Sequence, residues 1–298
     1  MFLISRILVS FRLFLFFFAF LICSSAYSQV TSEEKAILQS RKKSFLEYLD
    51  KNQNLKGTFP YSNIAQNLAI VYSILDQKDS TFYYLFYSFE DYKPETLGFD
   101  EVINPALLGE YTLQKWQNSK DWEELKNKIF DKYKYKARNV RYRNIEHELL
   151  LRKGADQSIR GYLWMIKSDS IARKKVSEID KLNYLYVKSV IDSIGFPTIS
   201  MVGASASNAA FLLCQHSDED VFFQKKVLQS MLKNSDDIKS YYIAYLSDRI
   251  LVKEKGYQLY GTQYNPKFKG KLYPIIDSQR VNIRRDSLGL PRIKMQRK

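Results

Sequence analysis

Cysteine and histidine are scarce in this chain, two of each among 298 residues. The cysteines are Cys23 and Cys214, and if the leader described below is removed only Cys214 remains. A lone cysteine makes no internal disulfide, so the fold has to rest on its apolar core. The same shortage excludes zinc held by cysteines, and two histidines among scattered acids match no metal-ligand spacing, so neither metal nor cofactor is expected. No G-x-S-x-G elbow, phosphate-binding glycine loop or dinucleotide fingerprint occurs. Beyond residue 28 no apolar run approaches the length of a bilayer span, so no transmembrane anchor is expected after cleavage. Proline and glycine are also few, 7 and 11, which leaves long segments free of breakers.

The first residues point to a compartment. Arg6 and Arg12 precede the apolar run LFLFFFAFLIC, which gives way to small residues and Ala26-Tyr27-Ser28. That is the order of a signal peptide cut after Ser28. The expected location is the periplasm or the exterior. Lipid anchoring at Cys23 is the minor alternative, disfavoured because Ile22 stands where such a signal needs a small residue. Cleavage removes two arginines and no acid, lowering the formal charge from +14 to +12. The remaining 270 or so residues suit two domains, expected at 29–140 and 141–298.

Most of the chain carries apolar residues at three-and-four spacing, so the expected fold is all-α. A charged amphipathic helix is predicted from Thr31 to Asn52, with Ile37, Leu38, Phe45, Leu46 and Leu49 on its apolar side and LKGTFP ending it. Two antiparallel helices joined by a polar turn at Asp76 to Asp79 follow. Through Leu68, Ala69, Tyr72, Leu85 and Ser88 this pair resembles a tetratricopeptide repeat; Thr81, Asp76 and Pro94 depart from that pattern. The stretch Lys132 to Asn144 interleaves basic residues with Tyr133, Tyr135 and Tyr142. It could stack and neutralise a nucleic acid, but an exported protein rarely meets one. A basic helix between domains or a face toward anionic envelope polymers accounts for the same charge, and no nucleic acid is expected.

From Arg143 the spacing predicts helices over 146–153, 156–167, 170–193, a segment after Gly203, 218–233 and 236–253. The last 45 residues hold glycines, prolines and β-like pieces, predicting a loop-rich clasp with one hairpin as an option. The expectation is thus a tetratricopeptide-like N-terminal half packed on a helical C-terminal domain ending in that clasp. Seven pieces in order, ADQSIR, IDKLN, IGFPTISMVG, AFLLCQHSDED, AYLSDR, YGTQY and VNIRRDSLGL, make this half similar to the bacterial domain of unknown function 6624. Phe196 and Ser217 depart from the family pattern without removing an ionisable group. The resemblance implies a fold unit and a set of positions, not a reaction.

Within those pieces His216 ends an apolar helix, and Ser217 or Asp218 can cap the next one. Its imidazole either answers the helix dipole, for roughly 0.3–1 kcal/mol, or serves as a general base. Asp156 and Arg160 are four apart and Asp180 and Asn183 three apart, each pair sharing a helix face. In Asp248-Arg249 the two side chains cannot point the same way, so one of them faces inward. Gly261, Thr262 and Gln263 form either a polar loop over a pocket or a clasp holding the C-terminal segment. Arg284 and Arg285 can fork onto a carboxylate or phosphate. Cys214 points away from His216 and is no nucleophile for it.

Two functions follow. The chain is an interaction or anionic-ligand-binding module, with Asp156, Arg160, Gln215, Arg249, Gln263 and Arg285 as ligand contacts and a protein, an anionic small molecule or an envelope polymer as partner. Alternatively it is an enzyme with His216 as base, Asp248 orienting it and Arg249 or Gln263 holding substrate, the three converging on a concave pocket.

Overall fold

The computed structural model describes residues 30–90, 105–133, 140–217, 219–268 and 270–294. The leader at 1–28, part of the basic stretch (134–139), Pro94 and Asp218 lie outside the described residues. The fold is all-α. Among the described residues there is no strand, only isolated bridges, and no helix long and apolar enough to cross a membrane. Two compact units divide the chain, one of Met1–Lys136 with Gly154–Ser177, the other of Ala137–Lys153 with Glu178–Lys298.

In the first unit, α1 (Ser32–Lys51) begins at a capping box: Thr31 Oγ1 accepts from the Glu34 N–H at 3.2 Å and the Glu34 carboxylate accepts from the Thr31 N–H at 3.0 Å. Burial pushes the Glu34 carboxyl up, but hydrogen bonds from Thr31 and from Ser168 N–H and Oγ outweigh it and hold the group down at about 2. Leu38 and Leu49 are buried, whereas Ile37 is 43 % exposed, contrary to the apolar side expected for it. Ile37 stands about 100° round the helix from Leu38, whereas Leu49, three turns on, returns to the side of Leu38. Helices α2 (Phe59–Ile74) and α3 (Lys78–Phe89) pack as a pair, turning through Asp76 at φ 59°. Leu49, Tyr61, Ala65, Leu68 and Tyr72 form their core with α1. Short 3-10 turns at Pro105–Gly109 and Tyr111–Trp116 lead into α4 (Lys120–Tyr133).

Glu110 caps the second of those turns. It accepts from Thr112 N–H at 3.2 Å and Oγ1 at 3.1 Å, and Ser73 Oγ donates to Thr112 Oγ1 at 2.6 Å. By surface area the residue is only half-buried, but its carboxyl is enclosed by protein atoms, which pushes it up to about 7 against these bonds. A carboxyl raised in the folded state favours folding at acid pH, and that advantage disappears as pH rises from about 4.5 through 7. Glu110→Gln is therefore expected to be neutral near pH 4 and to stabilise at pH 8, by up to about 3 kcal/mol. Urea unfolding of both proteins across that range checks it.

Helix α5 (Arg143–Met165) is continuous where two helices were expected. Gly154 does not break it. A Cβ there would lie 1.9 Å from the carbonyl oxygen of Ala106, so the glycine is a point of close backbone approach.

The second unit holds the start of α5, α6 (Ser170–Ile194) from Glu178 onward, α7 (Ile199–Val202), α8 (Ala204–Gln215), α9 (Val221–Lys233), α10 (Tyr241–Lys255) and α11 (Val281–Asp286). Phe211 of α8 stacks on Tyr242 of α10 with centroids 4.1 Å apart, amid buried Phe196, Phe223, Met231 and Leu246. Asp220, neither Ser217 nor Asp218, caps α9 by accepting from the Phe223 N–H at 2.8 Å. The Ser217 hydroxyl is turned back onto Leu213 O, the end of the preceding helix. Helix α10 starts at Tyr241, five residues later than expected from Asp236. The hairpin option reduces to one antiparallel bridge, Tyr264 to Leu272, beside a parallel one, Gln258 to Ile275.

Candidate functional site

Two sets of buried polar groups stand out in the second unit, and the first holds the clasp. Asp248 is fully buried on α10. Its Oδ1 accepts from Leu259 N–H at 2.7 Å and Tyr260 N–H at 2.9 Å, and its Oδ2 from Thr262 N–H and Oγ1, both at 2.9 Å. Both oxygens are thus occupied by the YGT turn. Gly261 makes the turn at φ 70°, with Ile275 and Ile293 Cδ1 atoms 2.9 Å from where a Cβ would stand. Gln258 Nε2 donates to the carbonyls of Gln263 and Tyr273 at 2.9 Å each. Arg285 donates to Pro291 O and Tyr260 O at 2.6 Å, and Arg284 to Leu259 O at 2.9 Å and Ile276 O at 2.8 Å. The Gln263 side chain bonds Thr262 Oγ1 at 3.0 Å. Of the Asp248-Arg249 dipeptide it is the acid that faces inward; Arg249 is half-buried.

The second set runs along one face of α6 through Asp180, Asn183 and Tyr186. Asp180 lies beside His216, a carboxylate oxygen and a ring nitrogen being within 4.8 Å of each other. His216 sits at the C-terminal cap of α8, half-buried, its own N–H bonded to Leu212 O at 3.2 Å. One turn along α6, Asn183 Oδ1 accepts from Arg152 Nη1 at 3.4 Å, and the same guanidinium donates to Leu182 O at 3.1 Å. Arg152, 1 % exposed, pairs through Nε with Glu148 at 2.8 Å and lies 4.3 Å over the Tyr186 ring. Burial pushes the Arg152 guanidinium below its ordinary range, and Glu148 offsets part of that. Burial, then Glu148, pushes the Tyr186 hydroxyl up.

Asn183 Nδ2 and Ser207 Oγ are buried with no hydrogen-bond partner among the described residues. A polar group left so in a protein interior costs about 1–3 kcal/mol. At Asn183 the seam therefore holds donor capacity that no described residue uses.

Other expected contacts have partners of their own. Arg160, in the first unit, pairs with Asp156 at 3.2 Å, the i,i+4 geometry expected on a helix. Gln215 is buried and its carbonyl accepts from Gln224 Nε2 at 3.3 Å. Cys214 is fully buried, which pushes its thiol up and keeps it protonated. Sequence reasoning missed Glu148, Arg152 and Tyr186. The available signal was an acid and a base four apart, flanked by leucines, within HELLLRK.

A family model described as a family of unknown function (DUF6624) matches residues 143–297, just over half of the chain. The chain belongs to this family. No curated protein and no solved structure matches it. The family match covers none of α1 to α4, and no family model supports the tetratricopeptide likeness expected of the α2–α3 pair. The three family pieces AYLSDR, YGTQY and VNIRRDSLGL, far apart in sequence, are the three parts of the clasp held by Asp248 and Arg285. IDKLN and AFLLCQHSDED supply Asp180, Asn183 and His216 to the seam.

Proposed function

We propose that the C-terminal half is a binding module for a small ligand bearing an anionic or other hydrogen-bond-accepting group, taken at the α6 seam. The observation that carries this is the Asn183 amide: 2 % exposed, next to a buried guanidinium, with its Nδ2 unmatched among the described residues. An acceptor on the ligand would complete that donor beside the positive charge of Arg152. The residues proposed to hold it are Asn183 and Arg152, with Asp180 and His216 at the end of the seam. Among the residues first considered, Arg285 and Asp248 act in the clasp on this reading, and Arg160 pairs with Asp156. We further propose that the protein is exported through its leader at 1–28, as the Arg6 to Ser28 pattern suggests.

Thermal-shift measurements on the cleaved chain with phosphate, citrate and a panel of carboxylates test the reading. A bound ligand at a hundredfold excess over its Kd adds roughly 2.7 kcal/mol, which for a protein of this size raises Tm by roughly 5–10 °C. In Asn183→Leu that shift is expected to vanish while the unliganded Tm stays level or rises. A shift retained in the variant would remove Asn183 from the site.

The Asp180–His216 pair favours a second reading, an enzyme moving a proton through His216 with Asp180 as its orienting carboxylate in place of Asp248. It requires that His216→Ala bind the same ligand but lose turnover roughly 10²–10⁴-fold. Under the first reading the variant binds and no turnover exists to lose.

A further inference from the structure

The α2–α3 pair of the first unit carries a surface that the seam does not explain. Of three tyrosines on α3, Tyr83 is exposed, whereas Tyr84 and Tyr87 are half-buried and pack against the α1–α2 core; Phe82, Leu85 and Phe89 are buried. Tyr83 is 60 % exposed. Its ring lies nearly parallel to Tyr87, 12° apart with centroids at 5.9 Å, and edge-on to Tyr84 at 5.0 Å.

These rings are fixed in place. Tyr87 and Tyr61 share a hydroxyl hydrogen bond of 2.7 Å, and Tyr87 also donates to Gln53 Oε1 at 3.3 Å. Tyr84 stacks at 7° on Tyr72, whose other neighbour is the Lys42 ammonium at 5.5 Å. Lys56 Nζ lies 4.9 Å from the Tyr87 ring centre and pairs with Glu90 at 2.8 Å. The result is a rigid aromatic platform with phenol, amide and ammonium groups at its edge, on a chain of formal charge +14.

We propose that this platform binds an acidic polysaccharide. A pyranose ring has flat apolar C–H faces that lie against phenol rings, and its hydroxyls suit the hydrogen-bonding groups at the rim. Carboxylates on the sugar match Lys42, whose ammonium lies over the Tyr72 ring, and the overall positive charge. A partner helix would need apolar pockets at i and i+4 spacing, but the apolar residues of α3 at those positions are turned inward. A nucleic acid also stacks on tyrosines, but it needs a dense line of cations for its phosphates; here Lys56 is balanced by Glu90 and Lys43 by Glu47.

The test is calorimetric titration of the full cleaved chain with soluble polygalacturonate, with dextran and an oligothymidylate as competing probes. Polygalacturonate is expected to bind and dextran to bind at least tenfold more weakly. Tyr83→Ala, a mostly exposed change that should leave the Tm in place, is expected to weaken polygalacturonate at least tenfold, and Tyr83→Trp to retain it. Three results would each overturn the proposal: no binding of polygalacturonate at millimolar sugar, equal binding by Tyr83→Ala, or tighter binding of the oligothymidylate. None of them bears on Asn183, so this site and the seam stand or fall separately.

Discussion

Replacing Asp248 with alanine is expected to destabilise the protein by about 4 kcal/mol and to release the clasp. Its two oxygens take five hydrogen bonds from Leu259, Tyr260 and Thr262, all at 3.2 Å or less, at a fully buried position. Alanine leaves three backbone N–H groups and a hydroxyl without an acceptor, and each buried orphan costs about 1–3 kcal/mol. The sum is reduced because a loop that loses its anchor reopens to water, which re-solvates the donors at the cost of the packing around Gly261. Asp248→Asn should fall between the two proteins. Its oxygen can still accept from Leu259 and Tyr260, but its NH₂ faces the donors of Thr262. Hydrogen exchange distinguishes local release from global loss. The amides of 259, 260 and 262 are expected to lose protection in Asp248→Ala well before those of α8 and α10. Uniform loss across the unit would mean that the clasp is not a separable element.

The second large effect is at Gly154. Alanine in a helix interior is ordinarily favoured over glycine by about 1 kcal/mol. At Gly154 the added methyl would stand 1.9 Å from Ala106 O and 2.8 Å from its carbonyl carbon. These are backbone atoms, so no rotamer change relieves the clash, and the 3-10 turn Pro105–Gly109 or the helix has to move. Overpacking of this kind costs 1–3 kcal/mol and occasionally more, so with about 1 kcal/mol returned by the helix gain Gly154→Ala is expected to lose up to about 2 kcal/mol. Gly161 gives the control on the same helix. A Cβ there meets nothing within 4 Å, and Gly161→Ala is expected to gain up to about 1 kcal/mol. Denaturant midpoints of the two variants should move in opposite directions. A stabilised Gly154→Ala would contradict the close approach.

Much of the helical scaffold could be read from the sequence, because it rests on local rules. Thr31 and Asn52, the expected bounds of the first helix, are its N-cap and C-cap. The all-α class followed from three-and-four spacing and the shortage of breakers. The errors arose where a residue's role is set by something distant along the chain. A break was expected between helices 146–153 and 156–167, and nothing nearby in sequence reveals that Gly154 is there for the Ala106 carbonyl. Asp248 looked like a partner for an imidazole, yet the donors that occupy it are 11 to 14 residues downstream in an irregular turn. Asp180 was noticed only for its own helix face, and the imidazole that meets it lies 36 positions later. Glu148 and Arg152 were not singled out at all; their burial, which makes them part of an interior network, depends on the packing of α5 against α6.

The central claim is that, of two sets of buried polar groups in the C-terminal half, the one around Asp248 holds the clasp and the one around Asn183 is left for a ligand. Urea unfolding of Asp248→Ala and Asn183→Leu, side by side with the parent at one pH, tests that division most directly. The expected result is a loss of about 4 kcal/mol for the first and a change within about 1 kcal/mol, or a gain, for the second. A loss in Asn183→Leu as large as that in Asp248→Ala would show that the seam, too, is there to hold the fold.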